Sequence, residues 1–384
     1  MSVDRCDVLV VGGGPAGSSC AWQLRRLGLD AMVLDRSAFP RDKVCAGWIT
    51  PQIVASLELD LADYGRTRVL QPLHGFNSGM VGGRSVAVRY GTAISYGIRR
   101  CEFDHYLLQR SGARLRLGEA FETALRDGDE WLVNGDIRAR YLVGAGGHFC
   151  PVSRLLGAQL GRSEHAISAQ EIEVALTPEQ GRQCAVESRQ AELYFCADLE
   201  GYGWCVRKGD YLNVGLGRTD NRRLGEAVLS FWNWLLASGR VPGSLVPKFK
   251  GHAYLLYGTS RRPLRGENAV LVGDAAGLAY DFSGEGIRPA VESGLLAAQM
   301  IAGAVADGDA RALAGYEQRI RQRYGRRTAA GSRPAKPDGW RNRLARFLVS
   351  NEPFARHVIL DRNFLHRRTA PLMPIAPEPG RLGA

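Results

Sequence analysis

Gly12-x-Gly14-x-x-Gly17, followed 21 residues after Gly14 by Asp35, is the pattern in this chain that points most directly to a chemistry. Glycines at that spacing let a turn close, let backbone N–H groups approach a pyrophosphate, and let the next helix pack near its strand. The helix N-terminus then faces the negative charge. An acid at the position of Asp35 accepts hydrogen bonds from a ribose diol and repels the extra phosphate of NADP. Together with Pro15 and Ala16 these residues imply a cradle for FAD or NAD.

Such a cradle needs a strand before it and a helix after it. The β-branched run Val8 to Val11 reads as a strand buried on both faces, and Cys20 to Leu27 follows with helical spacing and stops at Gly28. A second short strand, Ala31 to Leu34, delivers Asp35.

The 384 residues can bury a large core and are expected to form two lobes. The first apolar run is already the cradle strand, so no secretory signal is read, and no apolar stretch is judged to approach transmembrane length; the longest candidate is Ala227 to Ala237. A cytoplasmic location follows as the default. Eight cysteines show no CxxC pair and no Cys/His metal spacing, so reduced thiols are expected and zinc or disulfide scaffolds are not. The formal charge is +11, and between Arg311 and Arg368 there are 15 Arg or Lys against 4 Asp or Glu. That run is either attraction to anionic lipid headgroups or an acidic substrate, or a solvated helical face, with the solvated face favoured. Nucleic acid is not expected as a partner, because no recognition module and few interleaved aromatics accompany the charge.

Two later segments return to the cradle. Arg100-Cys-Glu-Phe-Asp104 begins a helix, followed by a strand at Tyr141 to Gly144. Ala269-Val-Leu-Val-Gly273-Asp274 reads as another buried strand, with helical spacing from Ile287 to Ala304 beyond it. Strand-like alternation with frequent glycines fills the stretches between and suggests an antiparallel sheet. The expected organisation is a discontinuous cofactor domain (1–70, 99–166, 259–330), a β-sheet substrate domain (71–98, 167–258) and a basic helical segment (331–384) with a loose Pro-rich end.

The cradle, the Arg100/Phe103/Asp104 helix start and Val272-Gly-Asp-Ala-Ala276 resemble the single-Rossmann flavoproteins of the p-hydroxybenzoate hydroxylase fold across most of the chain. Within them, Gly273-Asp-Ala-Ala-Gly277 followed by Phe282-Ser-Gly-Glu-Gly-Ile287 is more similar to the geranylgeranyl reductase family than to aromatic hydroxylases. Lys43-Val-Cys45-Ala46-Gly47 resembles the Cys-Gly-Gly loop of those reductases. Gly201-Tyr202-Gly-Trp204 leading to Asn213-Val-Gly-Leu-Gly217 resembles their Tyr-x-Trp motif, with slightly long spacing to the glycines. The resemblance implies an α/β fold: a Rossmann-like FAD-binding domain of the p-hydroxybenzoate hydroxylase/glutathione reductase-2 type beside a second, antiparallel sheet domain.

It also implies roles. Asp274 would bond the ribityl or pyrophosphate region of FAD, or else cap a turn. Backbone N–H groups at Gly284, Glu285, Gly286 and Ile287, at a helix start, would face the flavin N1/O2 edge and stabilise the anionic reduced ring. Arg100 would reach the phosphates or lie on the surface, and Arg36, Arg41 and Lys43 would assist or be solvated. Cys45 would sit over the flavin and orient an alkene or help deliver a proton, or be inert packing. Tyr202 and Trp204 would line an apolar substrate channel or simply pack in a strand. Where the superfamily carries Gly-Ala-Asp-Gly, this chain has Gly144-Ala-Gly146-Gly-His148, which weakens the case for direct use of NADPH.

The function implied is FAD-dependent reduction of carbon–carbon double bonds in a prenyl or other hydrophobic substrate, with NAD(P)H or another small donor as reductant and peripheral membrane contact through the basic tail. A monooxygenase on the same fold is the first alternative. A halogenase is disfavoured, because Trp232-Asn-Trp234 continues into Leu235-Leu236 within a helical run. A non-catalytic flavin- or NAD-binding sensor or scaffold is the alternative of another class.

Overall fold

The computed structural model describes residues 3–159, 164, 166–328 and 339–373. Residues 331–338 and the Pro-rich end, 374–384, lie outside the described residues, so that part of the tail reading has no structural counterpart here.

Strand Asp4–Val11 is central to an eight-stranded sheet because every residue from Val8 to Val11 is buried by layers on both faces. It pairs in parallel with Ala31–Asp35 on one side and Ile137–Gly144 on the other; Arg114–Leu117 and Ala269–Leu271 extend the parallel core outward. Val11, Asp35, Gly144 and Leu271 therefore end along one edge, and the loops that follow them converge there, where open α/β sheets collect their ligands. The cradle helix runs Pro15–Arg26, starting five residues earlier than its apolar spacing indicated, because Pro15 and the small residues Ala16, Gly17, Ser18 and Ser19 form its buried first turns. A second helix, Ile287–Asp307, crosses it closely: a β-carbon on Gly294 would overlap the Ala16 carbonyl oxygen.

Helix Ile287–Asp307 corrects one expectation, since its 21 residues are long and apolar enough to cross a membrane. The charges that hid it, Arg288 and Glu292, pair with each other at 2.8 Å, and both are buried. Most of its apolar window is buried in the core, so its composition is explained by packing against the cradle helix and its neighbours.

The second layer is a seven-stranded sheet ordered Lys250–Tyr254, Ile167–Ala175, Tyr211–Arg218, Gly201–Lys208, Gln190–Phe195, Gly75–Met80 and Ser85–Arg89. All its pairs are antiparallel except Gln190–Phe195 with Gly75–Met80, which run parallel. Those two strands come from separate stretches of chain and share no hairpin, so nothing local fixes their direction. Strands Leu70–Leu73 and Ser95–Ile98, expected in the same sheet, instead join Trp48–Ile49 in a three-stranded one. Alternation along Gly201–Lys208 divides the sheet's faces. Gly203 and Cys205 meet helix Leu224–Ala237, where Trp232 and Phe231 are core residues, while Tyr202, Trp204 and Val206 face the other way.

The C-terminal segment packs on that other face. Helix Gly339–Val349 leads to Glu352–Phe354 and a π-type helix, Ala355–Phe364, whose Ile359, Leu360 and Phe364 enter the cluster containing Trp48, Phe76 and Val88. The solvated-face reading of the basic run holds only in part. Arg323 pairs with buried Glu292 at 3.2 Å, and Arg327 stacks over Tyr257 and donates to the Ala276 carbonyl.

Candidate active site

A cavity of about 380 Å³ opens where the two large sheets meet. At one end is the glycine turn. Gly12 has φ +115°, and a β-carbon there would overlap the Ala145 carbonyl; one on Gly17 would overlap the carbonyl of Gly12. Gly14 caps the cradle helix, whose first turn holds no acidic residue and no capping side chain, so its N–H groups face the cavity unopposed. Asp35 is buried and accepts from Gly13 N–H at 2.7 Å and Ser37 N–H at 2.8 Å, which fixes the turn against the second strand.

Beside the turn, Arg100 is buried and makes a two-pronged contact with Asp104 one helical turn on, at 2.7 and 2.8 Å. The surface alternative for Arg100 is therefore overturned. Arg41 approaches the same carboxylate at 3.4 Å and stacks over Phe39, so it is held as well, whereas Arg36 is exposed at the rim. Two cations share one carboxylate here, leaving a net positive surface against the cradle.

Further along, Lys43 lies 2.6 Å from His252 Nε2, and His252 lies 3.6 Å from Asp274. Burial pushes Lys43 down to about 8 despite the nearby Asp274. Burial also pushes His252 below its ordinary value. Burial alone would raise Asp274, but the His252 hydrogen bond and the Lys43 charge outweigh it and hold the carboxyl below its usual range. Asp274 sits in a tight turn after strand Ala269–Leu271, with its carbonyl bound by the buried Arg262 guanidinium. Arg262 also pairs with Glu164 and reaches His148 Nδ1 at 3.3 Å. His148 thus occupies the loop that lacks the superfamily carboxylate, and a β-carbon on Gly146 would already lie 3.2 Å from Cys150 Cα.

The far end is walled by three pieces. Gly284, Glu285, Gly286 and Ile287 form the start of the long helix, whose N-cap is Gly286 and whose Arg288 N–H donates to the Glu285 carboxyl at 2.7 Å. Tyr202 donates its hydroxyl proton to the Ser283 carbonyl, which ties the sheet to that loop. Trp204 stands beside Tyr202, and Gly215 leaves room for its indole, since a β-carbon there would overlap the ring.

Opposite lies the loop Cys45-Ala46-Gly47. Asn213 holds it: its amide accepts from Trp204 Nε1 at 2.7 Å and donates to the Cys45 carbonyl and the Glu171 carboxylate, both at 3.2 Å. Glu171 in turn accepts from the backbone of Cys45. Fully buried Lys208 donates to the carbonyls of Ala46 and Ile98 and pairs with Glu173 at 2.5 Å. Burial pushes Glu171 up to about 7. The half-buried Cys45 thiol is close enough to Arg100 to hydrogen-bond with it.

The structure thus brings every sequence-predicted site residue to the cavity wall except Gly17 and Gly273. Gly17 packs against the turn from behind, and Gly273, at φ +56°, lies between Ala16 and Ala290. Sequence reasoning missed Glu171, Lys208, His252, Tyr254 and Phe364. The first two gave little local signal, because Glu171 stands between Gln170 and Ile172, and Lys208 ends its strand after Arg207. Phe364, from the tail, meets Tyr202 edge to face at 5.2 Å and lines the cavity, with no local signal for that position.

The residues present suit an extended dinucleotide: a turn with no room for β-carbons, the acid-free start of the cradle helix, and guanidinium groups beside it.

Comparison with known proteins agrees. Residues 7–89 match the model of the FAD dependent oxidoreductase family. Menaquinone reductase of Mycobacterium tuberculosis is 32% identical over 357 residues, covering 85% of this chain and 82% of that protein. Digeranylgeranylglycerophospholipid reductase of Methanothrix thermoacetophila is 28% identical over 357 residues, 85% of each chain. Among solved structures, a geranylgeranyl bacteriochlorophyll reductase-like protein of Thermoplasma acidophilum superposes with a TM-score of 0.70 at 21% identity, covering 91% of this chain and 88% of that one. PqsL of Pseudomonas aeruginosa shares the fold with a TM-score of 0.64 at 21% identity, over 84% and 92% of the two chains.

Proposed function

The chain belongs to the geranylgeranyl reductase family of FAD-dependent oxidoreductases, and from that premise we propose that it reduces carbon–carbon double bonds of a prenyl or similarly hydrophobic substrate, such as the side chain of a quinone or the chains of an isoprenoid lipid. The observation that carries this reading is the shape of one cavity. Its glycine turn and arginine pair suit a pyrophosphate, and its far end is an apolar pocket between Tyr202, Trp204, Phe364 and the Cys45 loop. The relatives named for reduction of menaquinone and of geranylgeranyl lipids support the substrate class.

When bound, FAD supplies a hydride from its reduced N5, with electrons drawn from NAD(P)H or another small carrier. The chain supplies everything else. Gly12, Gly14, Pro15 and Ala16 with Arg41 and Arg100 would hold the phosphates, Asp35 and Asp274 the sugar and ribityl hydroxyls, and the backbone at the helix start Gly284–Ile287 would favour negative charge on the ring. Tyr202, Trp204 and Phe364 exclude water and orient the alkene. Cys45, fixed by Asn213, touches the substrate on the opposite side.

The reading includes work from the cytoplasm at a lipid surface. Helix Gly339–Val349 exposes Trp340 (60%), Leu344 (47%) and Phe347 (68%) at helical spacing, and exposed Arg343 and Arg346 lie on the same helix. An apolar stripe flanked by arginines suits the interface of an anionic bilayer.

The test is anaerobic. The purified yellow protein is reduced and mixed with a geranylgeranyl compound or a menaquinone; flavin reoxidation with a mass gain of two hydrogens in the product is expected. Substrate-dependent oxygen uptake with a hydroxylated product would replace this reading with a monooxygenase.

A further inference from the structure

The loop Ser283-Gly-Glu-Gly286 has a second side, away from the cradle. Glu285 Oε1 accepts the Arg288 N–H at 2.7 Å, but its Oε2 is buried and has no hydrogen-bond partner among the described residues. Three more buried polar atoms share that condition: Tyr280 Oη, Tyr324 Oη and His366 Nε2. They belong to one cluster. The Tyr280 ring stacks on His366 with centroids 3.7 Å apart and lies 5.5 Å from Tyr324, and the Tyr280 N–H donates to the Glu285 carbonyl at 3.1 Å. The charge of Glu285 acts on both tyrosines.

Buried polar atoms are rarely left unbonded, and four in one cluster from three distant stretches suit bridging by ordered water. The surrounding charges are already paired. Arg288 and Arg323 both bind Glu292, and both also hold tail carbonyls between His366 and Ala370. Tyr202 closes the cavity side. The free oxygen of Glu285 therefore has no ion-pair partner among the described residues, and Glu285 lines the cavity.

We propose that Glu285 is the proton-holding wall of the cavity, loaded from the surface through a water-bridged relay of Tyr280, Tyr324 and His366, and that it delivers the proton accompanying hydride transfer to the substrate. This rests on the reduction reading above. The step balances as one hydride and one proton added across the double bond. The electron pair comes from the reduced cofactor, the proton leaves Glu285, and the carboxylate recovers a proton from solvent through the relay. Burial raises Glu285 to about 7, while burial and the charges of Arg288 and Arg323 push His366 down to about 4, so between those values the acid holds its proton and the imidazole is neutral. Tyr280, Tyr324 and His366 are positioning residues.

The experiment uses flavin-loaded wild type, E285Q, E285D and Y280F, each checked for full flavin content. Infrared difference spectra between about pH 5 and pH 9 should show a protonated-carboxyl band in wild type that disappears with a midpoint near neutrality. The band should be absent in E285Q and shifted in midpoint in Y280F. In single turnovers with a prenyl substrate, E285Q should be about 100-fold slower and lose the alkaline limb of the pH profile, with partial rescue in E285D. The same band in E285Q, or turnover of E285Q at the wild-type rate with an unchanged pH profile, would overturn the proposal. Wild type that shows the Glu285-dependent band yet reduces no prenyl compound would uphold the proton site and overturn the substrate reading.

Discussion

Trp204 Nε1 donates to Asn213 Oδ1 at 2.7 Å, and through that one amide the aromatic wall of the cavity and the Cys45 loop opposite are held in a single register. The orientation of Asn213 is thereby fixed: its oxygen faces the indole, so its nitrogen must face the loop carbonyl and the acids. Asn213→Leu removes both connections and leaves Glu171 without its amide donor. The expected outcome is a loss of about 1–3 kcal/mol in unfolding free energy and faster alkylation of Cys45 by a thiol reagent, measured by denaturant titration and mass spectrometry.

Asp104→Asn strands two guanidinium groups, one of them buried. Removing one partner of a buried ion pair costs roughly 3–5 kcal/mol, so the melting temperature should fall and bound FAD should be lost more readily on dilution. Calorimetry with flavin fluorescence checks both.

Gly17→Ala places a β-carbon on the Gly12 carbonyl oxygen, backbone that cannot yield without opening the cradle. The variant should purify colourless and stay so after incubation with FAD. Yellow protein at full stoichiometry would show that the turn does not carry the cofactor.

Glu171 sets a pH dependence of stability. Its carboxyl is raised from an ordinary value of 4.5 to about 7 in the folded state, chiefly by burial. Between those values the folded chain binds more protons than the unfolded one, so this residue makes stability fall as pH rises through that window. Glu171→Gln should flatten that slope in urea melts at successive pH values, with its largest relative gain above pH 7.

Replacing Trp340, Leu344 and Phe347 together with serine should abolish sedimentation with vesicles of anionic phospholipid while leaving flavin content intact. Wild-type binding should weaken as salt rises, because the arginines contribute by attraction to headgroups.

The cradle, its flanking strands and the return at Asp274 were legible because local rules govern them: β-branched runs, glycines at fixed spacing, an acid at a strand end. The parallel pair Gln190–Phe195 with Gly75–Met80 was not, since its register depends on a contact across more than a hundred residues. Arg100 could be named but not assigned between surface and interior, because only the folded helix sets Asp104 against it. The helix from Ile287 was legible as a helix, but its apolar length was underrated for a related reason. Arg288 and Glu292 look like interruptions in a one-dimensional reading and cancel each other once a helical turn brings them together.

Among the described residues, Phe364 is the most C-terminal one lining the cavity, so during synthesis it leaves the ribosome after every other described part of the wall. The same tail places Leu372 in the core around the cradle strands and Leu360 in the core of the second sheet, so the cavity is finished only as both cores are. A chain ending ahead of this aromatic would lack one wall of the cavity and part of two cores.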